Sequence, residues 1–180
     1  TERLRGRTAL LVTHDALDLW TLADDIALVE SGRVVAHGGV DDIMARPPTA
    51  FMAGLGGLNR LLGVAAAPDE LRLSGDAAVV IGSAEAASPA GAGASAMALF
   101  EPSAVGLHRS APEGSPRNVW AVVVDALEPR GPLVRVRLRL GDDHRLAADV
   151  TPRTVATLGL AAGERRWASV KAAQVRIERR

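Results

Sequence analysis

The run Val134-Arg-Val-Arg-Leu-Arg-Leu140 alternates apolar and charged residues without a break. A period of two suits a β-strand with one face buried, and no helix sorts such residues onto separate faces. Val134, Val136, Leu138 and Leu140 are therefore expected in a core, with Arg135, Arg137 and Arg139 on the solvated face of a half-buried strand. Nothing aromatic interleaves with these arginines to stack bases, and the formal net charge is +0, so there is no electrostatic case for nucleic acid.

The rest of the chain beyond Leu58 has the same style. Short β-type runs span Arg60 to Ala65, Glu70 to Leu73, Ala78 to Ile81 and Met97 to Phe100, with turn residues such as Asp69 and Gly75-Asp76 between them. A longer run covers Asn118 to Leu127, and Pro129-Arg-Gly-Pro132 reads as a turn. Gly141-Asp-Asp leads into Arg145 to Val150, and Pro152 opens a short helix ending at Leu158-Gly159. Trp167 to Lys171 and Gln174 to Glu178 are the closing strands. Residues 83–95 are nearly all Ala, Gly, Ser and Pro, which cannot pack a core and reads as a flexible surface loop.

The first 56 residues read differently. Ala9, Leu10, Leu11 and Val12 run without alternation, as in a strand buried on both faces of a parallel sheet, and Thr13, His14 and Asp15 end the run. Ligands collect beyond the carboxyl ends of such strands. A histidine there can reach a bound group or simply bond a neighbouring loop. Leu17, Leu19, Trp20, Leu22 and Ala23 then give a helical stripe, and Ser31-Gly32 joins two short strands, Ile26 to Glu30 and Arg33 to His37. Asp41 or Asp42 can cap a short helix, Thr49 can cap the next, and Gly54, Gly56 and Gly57 break it. His37 reads as solvated.

The pattern of strand, T-H-D, a helix closing on Leu22-Ala-Asp24 and a hairpin carrying Gly32-Arg-Val-Val35 is similar to the end of an ATP-binding-cassette ATPase. The resemblance continues through Asn59 and implies that His14 is the switch histidine contacting the γ-phosphate of ATP, with Mg in the complete protein. No G-x-x-x-x-G-K-[ST] is present, and neither is an apolar strand ending in Asp-Glu. The expectation is a carboxyl-terminal piece of a longer ATPase that does not hydrolyse ATP alone. Leu99-Phe-Glu-Pro-Ser-Ala-Val-Gly-Leu107 resembles the R-P-E-x-V strand of importer ATPases, with Glu101 where that family usually has arginine.

Ser115-Pro-Arg-Asn118, Ala148-Asp-Val-Thr151, Leu158-Gly-Leu160 and Val170-Lys-Ala172 resemble, in order and spacing, the signature of the molybdate-binding Mop domain. This implies a small OB-like barrel taking molybdate or tungstate, usually at the seam between two barrels. The candidate oxyanion contacts carried over are Ser115, Arg117, Thr151, Thr154 and Lys171. Their chemistry suits a tetrahedral dianion: hydroxyls donate, and Arg117 and Lys171 supply charge. Lys171 is the single lysine among 21 basic residues. Taken singly, Ser115 and Thr151 also read as turn or cap residues, and Lys171 as a strand residue facing water. Pro116 replaces the family's usual alanine, removing one backbone donor and fixing φ.

At 180 residues and 48% apolar, the chain can bury a core. Cysteine is absent, which excludes disulfides and thiolate chemistry, and no metal site is expected. No apolar run approaches a membrane span, and Thr1 onward does not read as a signal peptide. The expected fold class is an α/β cassette tail followed by all-β tandem OB-like (TOBE/Mop) barrels. The expected divisions are 1–56 for the cassette tail, 57–109 for a first β module and 110–180 for a Mop-type barrel. The implied function is the ATP-hydrolysing subunit of a molybdate importer, peripheral at the cytoplasmic face of the inner membrane, partnered by a permease and a second copy of itself. The alternatives are the ATPase subunit of a sulfate, iron or similar importer with a purely structural barrel, or a stand-alone oxyanion module.

Overall fold

Thr13 and Asp15 act locally, as helix-start residues. Asp15 is the N-cap of α1 (Ala16–Leu22), its Oδ1 accepting from the Leu17 N–H at 2.7 Å, and the Thr13 hydroxyl donates to Asp18 at 2.7 Å. The computed structural model describes residues 8–76, 78–83 and 91–179, so most of the expected 83–95 loop lies outside the described residues. The chain divides into two compact units, Thr1–Gly57 and Leu58–Arg180.

In the first unit the expected buried strand at 9–12 is absent. Leu10 is 94% and Val12 92% exposed, and these residues lie in no strand. A strand needs neighbouring backbones to pair with, and no described strand pairs with this segment. No residue of α1 is buried either. The expected hairpin does form from β1 (Asp25–Glu30) and β2 (Arg33–Gly39). Ser31 (φ 50) and Gly32 (φ 74) both take the left-handed conformation that a two-residue hairpin turn demands. α2 (Val40–Ala45) follows Gly39 with no side-chain cap, so Asp41 and Asp42 sit in its first turn instead of capping it. Thr49 does cap α3 (Ala50–Leu55), accepting from Met52 N–H at 3.3 Å. Ile26, Leu28, Val40, Met44 and Met52 make this unit's small core.

The second unit is β throughout except for one short helix. Its elements are β3 (Asn59–Ala67), β4 (Glu70–Leu73), β5 (Val79–Ile81), β6 (Ser95–Phe100), β7 (Gly106–His108), β8 (Asn118–Arg130), β9 (Leu133–Leu140), β10 (His144–Val150), α4 (Pro152–Leu158), β11 (Arg165–Val170) and β12 (Arg176–Arg179). They form two five-stranded sheets, ordered β12-β6-β3-β4-β5 and β7-β11-β8-β9-β10. The two orders are the same plan written twice. In each sheet, four strands come from one stretch of chain and the fifth from the other.

Strand register carries the repeat to single residues. Asn59 pairs with Phe100 as Asn118 pairs with Val170, and Ile177 pairs with Ala98 as Leu107 pairs with Ala168. The modules thus exchange their edge strands, β7 going to the second sheet and β12 to the first. The division at 109/110 is one of sequence; in space each sheet takes one strand from the other segment. β12 begins at Arg176, after a 3-10 turn over Ala172–Gln174, two residues later than expected. β8 runs past the expected turn through Pro129 to Arg130. Its first half pairs with β11 and its second half with β9, with a bulge between Val124 and Ala126 that lets the sheet coil into an OB-like form.

One core serves both modules. Leu61, Leu71 and Val80 of the first and Val124, Val136 and Leu138 of the second are at most 0% exposed and belong to one cluster, and Phe100 meets Trp120 with ring centroids 6.3 Å apart. At roughly 1.5–3 kcal/mol per fully buried aliphatic side chain, this core is the main stabilising element of the unit. Gly63 sits where β3 crosses β4 so closely that a Cβ would overlap the Arg72 carbonyl oxygen. No helix among the described residues is long and apolar enough to cross a membrane.

The alternation of Val134–Leu140 is correct for the apolar face, since Val136, Leu138 and Leu140 are core residues. The opposite face is not simply solvated. Arg135 is 7% exposed and makes a two-pronged pair with Asp149 at 2.8 and 2.7 Å. Arg137 does the same with Glu128 at 3.0 and 3.1 Å, and Arg139 and Arg145 both meet Asp125. Carboxylates on β8 and β10 flank the arginines of β9, so the face is a ladder of ion pairs. The hydrogen bonds from Arg135 hold the Asp149 carboxyl below its ordinary value, and those from Arg137 do so for Glu128.

Candidate anion-binding site

Asn118 ends the Ser115-Pro-Arg-Asn118 motif and begins β8. Its side chain is 0% exposed and stitches the modules together. The Oδ1 accepts from Ile81 N–H at 2.7 Å, and the Nδ2 donates to the Ile81 carbonyl at 2.8 Å and the Val170 carbonyl at 3.2 Å. The side-chain amide thus imitates a strand neighbour for the end of β5. Asn59 repeats the device from the other module, its Nδ2 donating to Ala147 O at 2.9 Å and its Oδ1 accepting from Ala147 N–H at 2.6 Å. Trp120 Nε1 adds a bond to Val79 O at 3.1 Å.

With Asn118 fixed, the residues before it are placed. Val170 lies opposite Asn118 as the last pair of the ladder, and Lys171 and Arg117 are the next residues of the two segments beyond it. Ser115, Arg117 and Lys171 are all exposed, and none of their side chains has a hydrogen bond or ion pair among the described residues. Pro116 holds the chain between Ser115 and Arg117 at a fixed φ. Arg117 and Lys171 therefore flank one end of the β8–β11 ladder, here called the cationic pole, and Ser115 lies two residues before Arg117. On the same strand, two residues before Lys171, the buried Ser169 hydroxyl lies 2.8 Å from His108 Nε2.

Thr151 and Thr154 are not brought to that pole. Thr151 is the N-cap of α4, accepting from Thr154 N–H at 3.2 Å, and the two hydroxyls are 3.0 Å apart. They follow Val150, which registers with Val134, which registers with Pro129 near the far end of β8. The reading of Thr151 as a cap residue holds, and one chain does not close the five candidates into a single shell. Gly159, at φ 60, ends α4 in the left-handed conformation, and Arg166 Nη2 donates to the Leu158 and Gly159 carbonyls at 2.8 Å each. The Leu158-Gly-Leu160 motif is therefore a helix stop.

His14 is exposed, outside any strand, and has no partner among the described residues. Neither a phosphate-cradling glycine loop with its lysine nor a magnesium carboxylate accompanies it. The residues present do not fit ATP and Mg as a site.

Sequence reasoning missed Asn118 and Asn59 as structural clamps, although the chain contains just these two asparagines. It also missed the His108–Ser169 pair, which joins residues distant in sequence.

The TOBE domain profile matches residues 114–177, which covers the cationic pole, β8 to β11 and α4. Over 174 residues, 96% of this chain, the sequence is 36% identical to the molybdenum import ATP-binding protein ModC of Mycobacterium tuberculosis (strain ATCC 25618 / H37Rv), covering 46% of that protein. It is 27% identical over 172 residues to the molybdate/tungstate import ATP-binding protein WtpC of Pyrococcus horikoshii, covering 96% of this chain and 47% of that one. The chain spans about half the length of these curated relatives. Among solved structures, the cytoplasmic molybdate-binding protein ModG with molybdate bound superposes with a TM-score of 0.59 at 26% identity, over 68% of this chain and 96% of that chain. By this sequence match and fold, residues 114–177 are a TOBE domain, within a chain that is similar over 96% of its length to part of the ATP-binding proteins named for molybdenum import.

Proposed function

We propose that this chain is the oxyanion-sensing part of the ATP-hydrolysing subunit of a molybdate importer. Ser115, Arg117 and Lys171 of one copy hold molybdate or tungstate, and Thr151 and Thr154 of a second copy complete the shell. The observation that carries the reading is the end of the β8–β11 ladder, where Arg117 and Lys171 follow the pair of buried Asn118 with Val170 and neither basic side chain has a partner among the described residues. Its setting supports the ligand class, because the relatives are named for molybdate and tungstate import and the ModG fold binds molybdate. Two positive groups match a dianion in charge, and each charge-assisted bond is worth roughly 1.5–3 kcal/mol.

In the complete subunit, anion at the seam locks two regulatory regions together and lowers ATP turnover, a coupling between distinct sites. We assign His14 to the switch position of the cassette, whose remaining parts supply the ATP and Mg site. The divisions 1–56, 57–109 and 110–180 then correspond to cassette tail, first β module and anion-binding module. The partners are a membrane permease and a second copy, at the cytoplasmic face of the membrane. Calorimetry of this chain with molybdate, sulfate and phosphate tests the ligand: molybdate should bind and the other two should be weaker by roughly tenfold or more. Equal binding of all three, or of none, refutes the assignment. An alternative in which the barrel is purely structural predicts no binding.

A further inference from the structure

We propose that the internal repeat leaves this chain one anion-competent pole instead of two, because Glu101 stands in the first module where Lys171 stands in the second. This rests on the reading of the cationic pole given above. The correspondence is fixed by pairing. Asn59 and Asn118 each open the first long strand of their module, and each is paired with the last residue of another strand, Phe100 and Val170. The next residues are Glu101 and Lys171, and each is followed by a 3-10 turn, Pro102–Ala104 and Ala172–Gln174.

Every charged position of the pole changes sign or vanishes across the repeat. Lys171 corresponds to Glu101, and Arg117, one residue before its asparagine, corresponds to Leu58. Ser115, three residues before, corresponds to Gly56 in the sequence. Glu101 already accepts a hydrogen bond from the Ser103 hydroxyl at 2.8 Å, so even the nearby donor is turned toward the carboxylate. A dianion approaching the first-module position meets a like charge and neither the guanidinium nor the ammonium that would compensate it. The modules share a backbone plan and Asn clamps, and the ligand chemistry survives in the second alone.

Equilibrium dialysis and calorimetry with sodium molybdate on the full 180-residue chain test this by counting. The expected result is saturation at no more than one ion per chain. Lys171→Ala should weaken that binding by roughly tenfold or more, and Glu101→Gln should leave affinity within about twofold, since screened charges at separate poles couple weakly. Two ions per chain, or a loss in Glu101→Gln equal to that in Lys171→Ala, overturns the inference while leaving the ligand assignment standing. No binding at all overturns the ligand assignment and this inference with it.

Discussion

Replacing Asn118 by alanine tests the clamp on which the cationic pole depends. The native side chain makes three hydrogen bonds, at 2.7, 2.8 and 3.2 Å, from a position 0% exposed. Alanine deletes both members of the amide and leaves the Ile81 N–H, the Ile81 carbonyl and the Val170 carbonyl facing an apolar void. A net hydrogen bond is worth roughly 0.5–1.5 kcal/mol, and an orphaned buried group costs about 1–3 kcal/mol. With partial relaxation at the short strand β5, the sum is about 3–5 kcal/mol of unfolding free energy. Asn118→Asp is the sharper control. It retains the acceptor for Ile81 N–H but points a second oxygen at two carbonyl oxygens, so at neutral pH it should cost at least as much. As pH falls and the new carboxyl protonates, one donor returns and the deficit should shrink. Urea unfolding followed by far-ultraviolet circular dichroism, at pH 7 and pH 5, measures both effects. Asn59→Ala, which deletes two bonds, should cost about two thirds as much. A loss below about 1 kcal/mol in Asn118→Ala would refute the account of the amide as a surrogate strand neighbour.

Two further outcomes follow from buried pairs elsewhere. Asp149→Ala should cost about 3–5 kcal/mol by stranding the buried Arg135 guanidinium, whereas Arg135→Met combined with Asp149→Leu should come within about 1 kcal/mol of the native chain. Because the Arg135 hydrogen bonds lower the folded pKa of Asp149, its contribution is present above its ordinary value of 3.8 and is lost as pH falls through the lower folded value; acid unfolding below about pH 4 should therefore shift upward in Arg135→Met. Ile177→Ala should cost about 2–5 kcal/mol in thermal or urea unfolding if β12 is a true core strand of the first module. A cost near zero would mean that the exchanged strand frays.

What could be read from the sequence divides by the range of the interaction. Alternation placed Val136, Leu138 and Leu140 in the core, because the period of a strand is a property of the strand alone. The same alternation could not show that Arg135 meets Asp149, since the partner lies on β10 and its register is set by a turn. Strand exchange was likewise invisible: nothing local in Gly106–His108 or Arg176–Arg179 says which sheet each joins. The run Ala9–Val12 misled for the converse reason. Its apolar character describes what a strand there would bury, but burial needs neighbours that no described element provides. The candidate anion residues came from the resemblance to the Mop signature, and the strand register puts Arg117 and Lys171 just beyond the Asn118–Val170 end of one ladder. The resemblance carries no register, and it is register that sets Thr151 and Thr154 after Val150, toward the far end of β8.

That separation has a chemical consequence for how an anion would be held. Thr151 and Thr154 together carry two hydroxyl protons, and the 3.0 Å contact between them takes up one. The Thr151 oxygen also accepts from Thr154 N–H, so one hydroxyl proton is left to donate outward. This pair is a precise but weak hydrogen-bond donor, insufficient alone for a dianion. The pole has the opposite character, with two full charges, one hydroxyl and a backbone stiffened by Pro116 and anchored by Asn118. Charge and geometry are therefore split between two ends of the sheet. A second copy that brings its threonine pair to the first copy's pole supplies the missing donor without moving either strand. On the proposed reading, such a site would join copies only when anion is present, because without it two like charges would face a shell that offers them no acceptor but hydroxyl oxygens. The split itself is what would make the anion a link between subunits.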